Sequence, residues 1–288
     1  MKILDALRAA TETLEKAGID DPLADAEILT WHAADTDRLT AFLDNPDIAS
    51  QTLAKIRRLT TRRAKGEPVQ YIVGHVEFCG LKIAVGKGVL IPRPETELLV
   101  EEAAKTLNSC NPDLPADILD LCTGSGCIAL ALAREFPGAT VIGTDISAKA
   151  LHYARKNASS NDITNVTFRK ASLFGPIRKG EAFDLITANP PYIIHSEISE
   201  LQREVKDWEP VDALDGGNDG LDFYRAILSK EGPYLKPNGS LILELGYGQA
   251  SAVAEISSRN GFDVVSIIRD LAGIERILKA VPSGLYRS

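Results

Sequence analysis

Ile118-Leu119-Asp120-Leu121-Cys122-Thr123-Gly124-Ser125-Gly126-Cys127-Ile128-Ala129-Leu130 is the stretch on which the fold turns. A short apolar run over 118–122 reads as a buried strand. It ends in a glycine-rich turn and passes into an apolar helix over 127–135. Glycines between a strand and a helix let the backbone turn sharply and let a ligand approach closely. The turn is not a full G-x-G-x-x-G, and by itself it also suits a packing turn. Its surroundings extend the pattern. Strand-forming runs recur at 141–145, 166–170, 183–188, 240–245, 264–269 and 274–278, and helical runs lie at 148–158, 222–228 and 250–258. This alternation predicts an α/β fold: a mostly parallel seven-stranded sheet covered on both faces.

Upstream the rhythm is helical. Leu4, Leu7, Leu14 and Ala17 recur at helical spacing until Gly18. Asp21-Pro22 is a helix start, with proline where its missing donor costs nothing. Further helices are predicted between Asp37 and Leu43 and over 50–65. Residues 69–91 are rich in strand formers punctuated by Gly74, Gly80, Gly86 and Gly88, which reads as a β-hairpin or two short strands. Pro92-Arg93-Pro94-Glu95-Thr96-Glu97 then opens a helix. The expected organisation is a helical bundle (1–68), a β-hairpin linker (69–91) and an α/β domain (92–288).

Composition narrows the function. The 288 residues are 44% hydrophobic and 25% charged, close to the globular average. A net charge of -8 argues against a protein that grips nucleic acid along its length. The four cysteines form no C-x-x-C pair and the four histidines are scattered, so no metal site is expected. No apolar run approaches the roughly 18 residues of a membrane span, and no signal pattern opens the chain. A cytoplasmic protein without membrane association is expected.

Two motifs add chemistry. Asp145 ends the strand after the glycine turn, where an acid can bind the ribose hydroxyls of an adenosine-containing cofactor; capping the next helix is its ordinary alternative. Asn189-Pro190-Pro191-Tyr192 follows the strand over 183–188, at the end where α/β ligand sites form. Two prolines stiffen the loop and remove two donors. What remains is a display of acceptors, the Asn189 side-chain oxygen and the Pro190 carbonyl, which can take both hydrogens of a planar NH₂ group. Tyr192 offers a flat face.

Together the glycine turn, Asp145 and Asn189-Pro190-Pro191-Tyr192 resemble class I S-adenosylmethionine-dependent methyltransferases acting on planar nitrogens, a Rossmann-like fold. Gln70-Tyr71-Ile72-Val73-Gly74, Pro92-Arg93-Pro94-Glu95-Thr96-Glu97, Gly216-Gly217-Asn218-Asp219-Gly220-Leu221, Gly246-Tyr247-Gly248-Gln249 and Asp270-Leu271-Ala272-Gly273-Ile274-Glu275-Arg276 resemble the release factor glutamine methyltransferase (PrmC, or HemK) family over nearly the whole chain.

The resemblance implies transfer of a methyl group from S-adenosyl-L-methionine to the amide nitrogen (N5) of the glutamine in the Gly-Gly-Gln motif of class 1 peptide chain release factors. It implies substrate binding by Asn189, Pro190, Pro191 and Tyr192, with Asn189, Pro190 and Tyr192 the catalytic set. Cofactor binding falls to Cys122, Thr123, Gly124, Ser125, Gly126, Asp145, Phe174 and Asn189. Ribosomal-protein glutamine and DNA adenine-N6 methylation are the alternatives. Two positions depart from the family: Cys122 stands where the turn usually begins with glycine, and Ser172 where an acid is common, which shifts the expected adenine contact to Phe174. The cluster Lys55, Arg57, Arg58, Arg62, Arg63 and Lys65 suits either a solvated face or a docking surface for the release factor. A monomer with no direct nucleic-acid partner is expected.

Overall fold

The computed structural model describes residues 1–110, 115–175, 177–178, 180–229 and 234–284. Contacts divide the chain into two compact units, Met1–His75 with Leu201–Glu209, and Val76–Glu200 with Pro210–Ser288.

The first unit is helical: α1 (Ile3–Lys16), α2 (Pro22–Ala34), α3 (Arg38–Asp44), α4 (Ser50–Ala64) and α5 (Val69–Val73). Asp21 and Asp37 cap α2 and α3 by accepting from the Ala24 and Thr40 amides, which satisfies otherwise orphaned donors. The core joins Leu7, Leu14, Leu29, Ile56, Leu59, Val69 and Ile72. The α5 helix corrects the expectation of strand across 69–73. Val69 and Ile72 lie three apart on one helical face and fill this core, so tertiary burial overrides the β preference of their side chains. The basic cluster is also resolved into parts. Arg63 is buried on Asp25 and Glu204, and Arg62 is paired with Glu67; Arg57, Arg58 and Lys65 are exposed.

The second unit begins with the hairpin β1 (His75–Phe78) and β2 (Leu81–Ala84). Residues 85–91, expected as strand, carry none. Then follow α6 (Thr96–Cys110), β3 (Asp117–Leu121), α7 (Cys127–Glu135), β4 (Thr140–Asp145), α8 (Ala148–Ser160), β5 (Val166–Lys170) and β6 (Phe183–Ala188). After α9 (Arg203–Lys206), in the segment assigned to the first unit, come α10 (Asp222–Leu228), β7 (Leu235–Glu244), α11 (Ala250–Arg259), β8 (Phe262–Arg269) and β9 (Glu275–Pro282). The seven strands lie in the order β5-β4-β3-β6-β7-β9-β8. Pairing is parallel except along β9. The expected seven-stranded, mostly parallel sheet is therefore present.

β7 starts earlier than expected, through Pro237-Asn238-Gly239. The register shifts there against β6, and a Cβ at Gly239 would meet the Phe183 carbonyl oxygen at 2.7 Å. Gly239 is a close backbone passage within the strand.

β3 runs to β4 and β5 on one side, and β6 and β7 lie on the other. The order reverses between β3 and β6, and the crevice outside the carboxyl ends of strands at such a point is where α/β folds bind ligands. Leu121 pairs with Thr144 and Ala188, and Ala188 with Leu243. One position further along each strand stand Cys122, Asp145, Asn189 and Glu244, side by side along that edge. Among the described residues no helix is long and apolar enough to cross a membrane.

Candidate active site

A cavity of about 500 Å³ opens at this edge. Its size suits a small ligand. Cys122, Thr123, Gly124 and Ser125 line it from the glycine turn, with Asp145 at the end of β4 and Asn189 and Pro191 at the end of β6. Val89, Leu90, Ile146 and Leu173 make much of its surface apolar.

Asp145 organises the turn. Its Oδ2 accepts from the Gly124 amide at 2.9 Å and its Oδ1 from the Ser147 amide at 2.8 Å. Ser147, not Asp145, caps α8, accepting from the Ala150 amide. Each Asp145 oxygen keeps a lone pair beyond these bonds. Burial raises its carboxyl above the ordinary range, and the amides oppose that shift. Gly124 sits at φ +55°, in the left-handed region that favours glycine. Cys122 is also at φ +55°, so the departure from glycine carries a side chain in a conformation costing about 1–2 kcal/mol. Burial, with the Asp145 and Asp120 carboxylates nearby, pushes its thiol far up; it is a neutral lining group.

The residues fit an adenosine-containing methyl donor: a carboxylate with free lone pairs for a diol, and an apolar slot for a flat base. Ser172 lies on the wall, but Phe174, the expected adenine contact, does not. Phe174 is 4% exposed and stacks on Tyr234, ring centroids 4.8 Å apart, within the core. Leu173, at φ +49°, takes the wall position. The backbone reversal at Leu173 decides which of the two apolar neighbours turns inward, and no sequence pattern encodes it. Gly126 is also off the wall. It starts α7 at φ +82°, where a Cβ would meet Phe168 and Ala154 at 3.0 and 3.1 Å.

The Asn189 loop is held from several sides. Pro190 and Pro191 are buried. Asn189 Nδ2 donates to Thr96 Oγ1 at 3.3 Å, which leaves Oδ1 as the free acceptor on the cavity side chain. Among the described residues no main-chain N–H donates to the Pro190 carbonyl. Pro190 and Tyr192 are not on the cavity wall. Tyr192 is half-buried against the core, and its hydroxyl donates to Glu244 Oε1 at 3.4 Å. Burial pushes its phenol far up, aided by the Glu244 charge, so it is no base at neutral pH.

The glycine motifs seat this loop. Cβ atoms at Gly216 and Gly246 would meet Tyr192 at 2.7 and 3.0 Å. Gln249 Nε2 donates to the Tyr192 carbonyl at 2.9 Å, and its Oε1 accepts from the Gly246 amide. Asp270 binds the Ala272 and Ile274 amides and pairs with Arg276 Nε at 2.9 Å, closing the β8–β9 turn.

Sequence reasoning missed Thr96 and Glu244, which are 1% and 2% exposed. Thr96 stands at the start of α6 between two acids whose charges draw the eye. Of these, Glu97 serves the hairpin, accepting from the Cys79 amide at 2.7 Å. Glu244 ends an apolar strand, and an acid inside such a run is the one signal that marks it.

Residues 5–74 match the PrmC N-terminal domain family and residues 115–260 a methyltransferase domain family. The release factor glutamine methyltransferase of Thermodesulfovibrio yellowstonii is 44% identical over 278 residues, 96% of this chain and 97% of that protein. The protein of the same name from Geobacter sulfurreducens is 43% identical over 279 residues, 96% of this chain and 94% of that one. Among solved structures, the hMettl16 catalytic domain in complex with an RNA hairpin matches at TM-score 0.55 and 15% identity, over 84% of this chain and 85% of that one; that likeness concerns the fold alone. With its glycine turn, its acceptor loop and these full-length relatives, the chain belongs to the release factor glutamine methyltransferase family and is an S-adenosylmethionine-dependent enzyme.

Proposed function

We propose that the protein methylates N5 of the glutamine in the Gly-Gly-Gln motif of class 1 peptide chain release factors, releasing S-adenosyl-L-homocysteine. The observation that carries this reading is the Asn189 amide. Its nitrogen end is tied back to Thr96, so an oxygen acceptor faces a cavity at the carboxyl edge of the sheet. An acceptor is what a substrate NH₂ group requires.

An amide nitrogen is a poor nucleophile because its lone pair is delocalised into the carbonyl. S-adenosylmethionine supplies the activated methyl group when bound; the protein supplies position. Asn189 Oδ1 and the Pro190 carbonyl accept the two amide hydrogens and turn the nitrogen lone pair toward the donor. Both bonds strengthen as positive charge grows on nitrogen, which favours the transition state over the ground state. Holding the reactants in line contributes on the order of 7–11 kcal/mol. Tyr192 backs the loop, and any face it shows the amide plane is presented from there. Asp145 and the 122–126 turn hold the donor. No side chain in this reading acts as a strong base, and the proton leaves after transfer.

The decisive assay uses purified protein, tritiated S-adenosylmethionine and an unmethylated class 1 release factor. Label is expected on the factor and not on its Gln→Asn control at the Gly-Gly-Gln motif. Label on DNA instead overturns the reading in favour of adenine methylation, and label on the control displaces the assigned glutamine.

The helical unit serves as the docking element for the release factor in a cytoplasmic, monomeric enzyme. Arg57, Arg58 and Lys65 are its exposed cations on and just beyond α4. Arg57→Glu with Arg58→Glu raises KM for the factor several-fold at low salt and leaves cofactor affinity unchanged, measured by methylation kinetics and calorimetry; an unchanged KM removes this surface from docking.

A further inference from the structure

We infer that α8 seats the segment 84–91 as a fixed wall of the methyl-donor cavity, and that Asn157 anchors this wall as a positioning residue for donor binding. This rests on the proposed reading only in placing the donor in that cavity.

Asn157 stands in an apolar row. Ala150, Leu151 and Ala154 make up the rest of the buried stripe of α8, and a polar amide in such a stripe costs stability unless it is hydrogen-bonded. Asn157 is 0% exposed and bonded three ways. Its Oδ1 accepts from the Ala84 amide at 2.8 Å, and its Nδ2 donates to the Ala84 carbonyl at 3.1 Å and to the Ser125 carbonyl at 2.9 Å. The side chain thus pairs with both main-chain groups of Ala84, the last residue of β2, as a neighbouring strand would. Its other hydrogen goes to the glycine turn. An ionised aspartate has no donor and an alanine no polar group, so neither can make both links.

The chain beyond Ala84 follows the same helix. A Cβ at Gly86 would meet the Tyr153 hydroxyl oxygen at 2.2 Å, and one at Gly88 would meet Lys149 Cδ at 2.5 Å. Ala84, Gly86 and Gly88 therefore lie against Asn157, Tyr153 and Lys149 in turn. Two residues of extended chain advance about 6.6 Å and four residues of helix about 6 Å, so the match repeats. The segment runs toward the start of α8, where Ser147 and Ala150 line the cavity, and there Gly88, Val89 and Leu90 line it too. Ser125 lines it from the glycine turn, while Asn157 itself stands off the wall. One buried amide thus fixes the spacing of two walls. A wall seated only part of the time lowers affinity for any ligand of the seated state by that fraction.

Calorimetry on the purified full chain should find the Kd for S-adenosylmethionine and for S-adenosyl-L-homocysteine both raised about tenfold in Asn157→Ala, and both raised in Asn157→Asp. At saturating donor, kcat on the release factor should stay within about threefold, the mark of a group that serves binding uniformly. Hydrogen exchange over 84–90 should quicken about tenfold in ligand-free Asn157→Ala while 118–121 of β3 keeps its protection, which separates a loosened wall from a destabilised fold. Gly86→Ala leaves Asn157 in place and carries the test if Asn157→Ala fails to fold. It should raise the Kd through the Tyr153 hydroxyl, and Tyr153→Phe added to it should return most of the affinity. Wild-type Kd in folded Asn157→Ala, wild-type exchange over 84–90, or no recovery in the double variant overturns the seating. Asp145→Ala is the control: an unchanged Kd there places the donor outside the cavity and overturns both readings. Kd shifts as expected in a protein that labels no release factor uphold the seating and refute the substrate alone.

Discussion

The two ends of the sheet treat their carboxylates differently. At the amino end, Asp117 of β3 and Asp184 of β6 share the Lys236 ammonium at 2.7 Å each, all three side chains a third or more exposed. At the carboxyl end, Asp120, Asp145 and Glu244 are met instead by hydroxyls and main-chain amides. Asp120, fully buried, accepts from Thr123 and Thr187 at 2.5 and 2.9 Å. Neutral donors fix the direction of a carboxylate without cancelling its charge, so burial pushes the Asp120 carboxyl up to about 7. A solvated ion pair adds little to stability and orients little. The acids on the ligand side are thus held at a cost in stability, and the comparison with the opposite end makes that cost measurable.

The largest expected effect is at the edge itself. Asn189→Ala removes the side-chain acceptor and should lower kcat by about 10²–10³-fold, as loss of one preorganised transition-state partner does, while calorimetry finds cofactor affinity nearly unchanged. Asp145→Ala should act in the opposite sense, on affinity first. It deletes charged hydrogen bonds worth about 1.5–3 kcal/mol and frees the Gly124 amide, so the cofactor Kd should rise about 10–100-fold.

Stability separates the two ends more sharply. The Asp120 carboxyl titrates above its ordinary value, so its contribution favours the fold below about pH 4 and is lost as pH rises through about 7. Denaturant titrations should show wild-type stability falling over that window relative to Asp120→Asn by a few kcal/mol. Lys236→Met at the amino end should change stability by less than about 1 kcal/mol at any pH in that range. Equal pH slopes in the two variants would erase the distinction.

The smallest effect concerns Cys122. Glycine there relieves about 1–2 kcal/mol of left-handed strain and adds about 0.4–1 kcal/mol of unfolded-state entropy. The two effects oppose each other, so Cys122→Gly should shift stability by no more than about 1.6 kcal/mol, with cofactor affinity intact.

Much of the catalytic unit was legible before any coordinates. The strand over 166–170 and the helix over 127–135 run between the expected residues, because buried parallel strands and their helices announce themselves as short apolar runs bounded by glycine. The Asn189 loop was legible because two consecutive prolines after a buried strand leave few conformations. Val69–Val73 misled because five β-preferring residues can equally present a helical face when a core is waiting for it. Arg62 and Arg63 misled because sequence shows charge but not the acids folded against it.

By itself, then, the sequence determined the elements, their parallel order and the local chemistry of the glycine turn and the acceptor loop, since each depends on residues close in the chain. Only tertiary structure decided that Cys122, Asp145, Asn189 and Glu244 share one edge, that Leu173 rather than Phe174 faces the cavity, that Thr96 takes up the Asn189 amide nitrogen, and that Tyr192 meets a carboxylate 52 positions further along the chain. Register, backbone reversal and hydrogen-bond direction are set by partners far apart in the chain, and their physics begins only when the strands are paired.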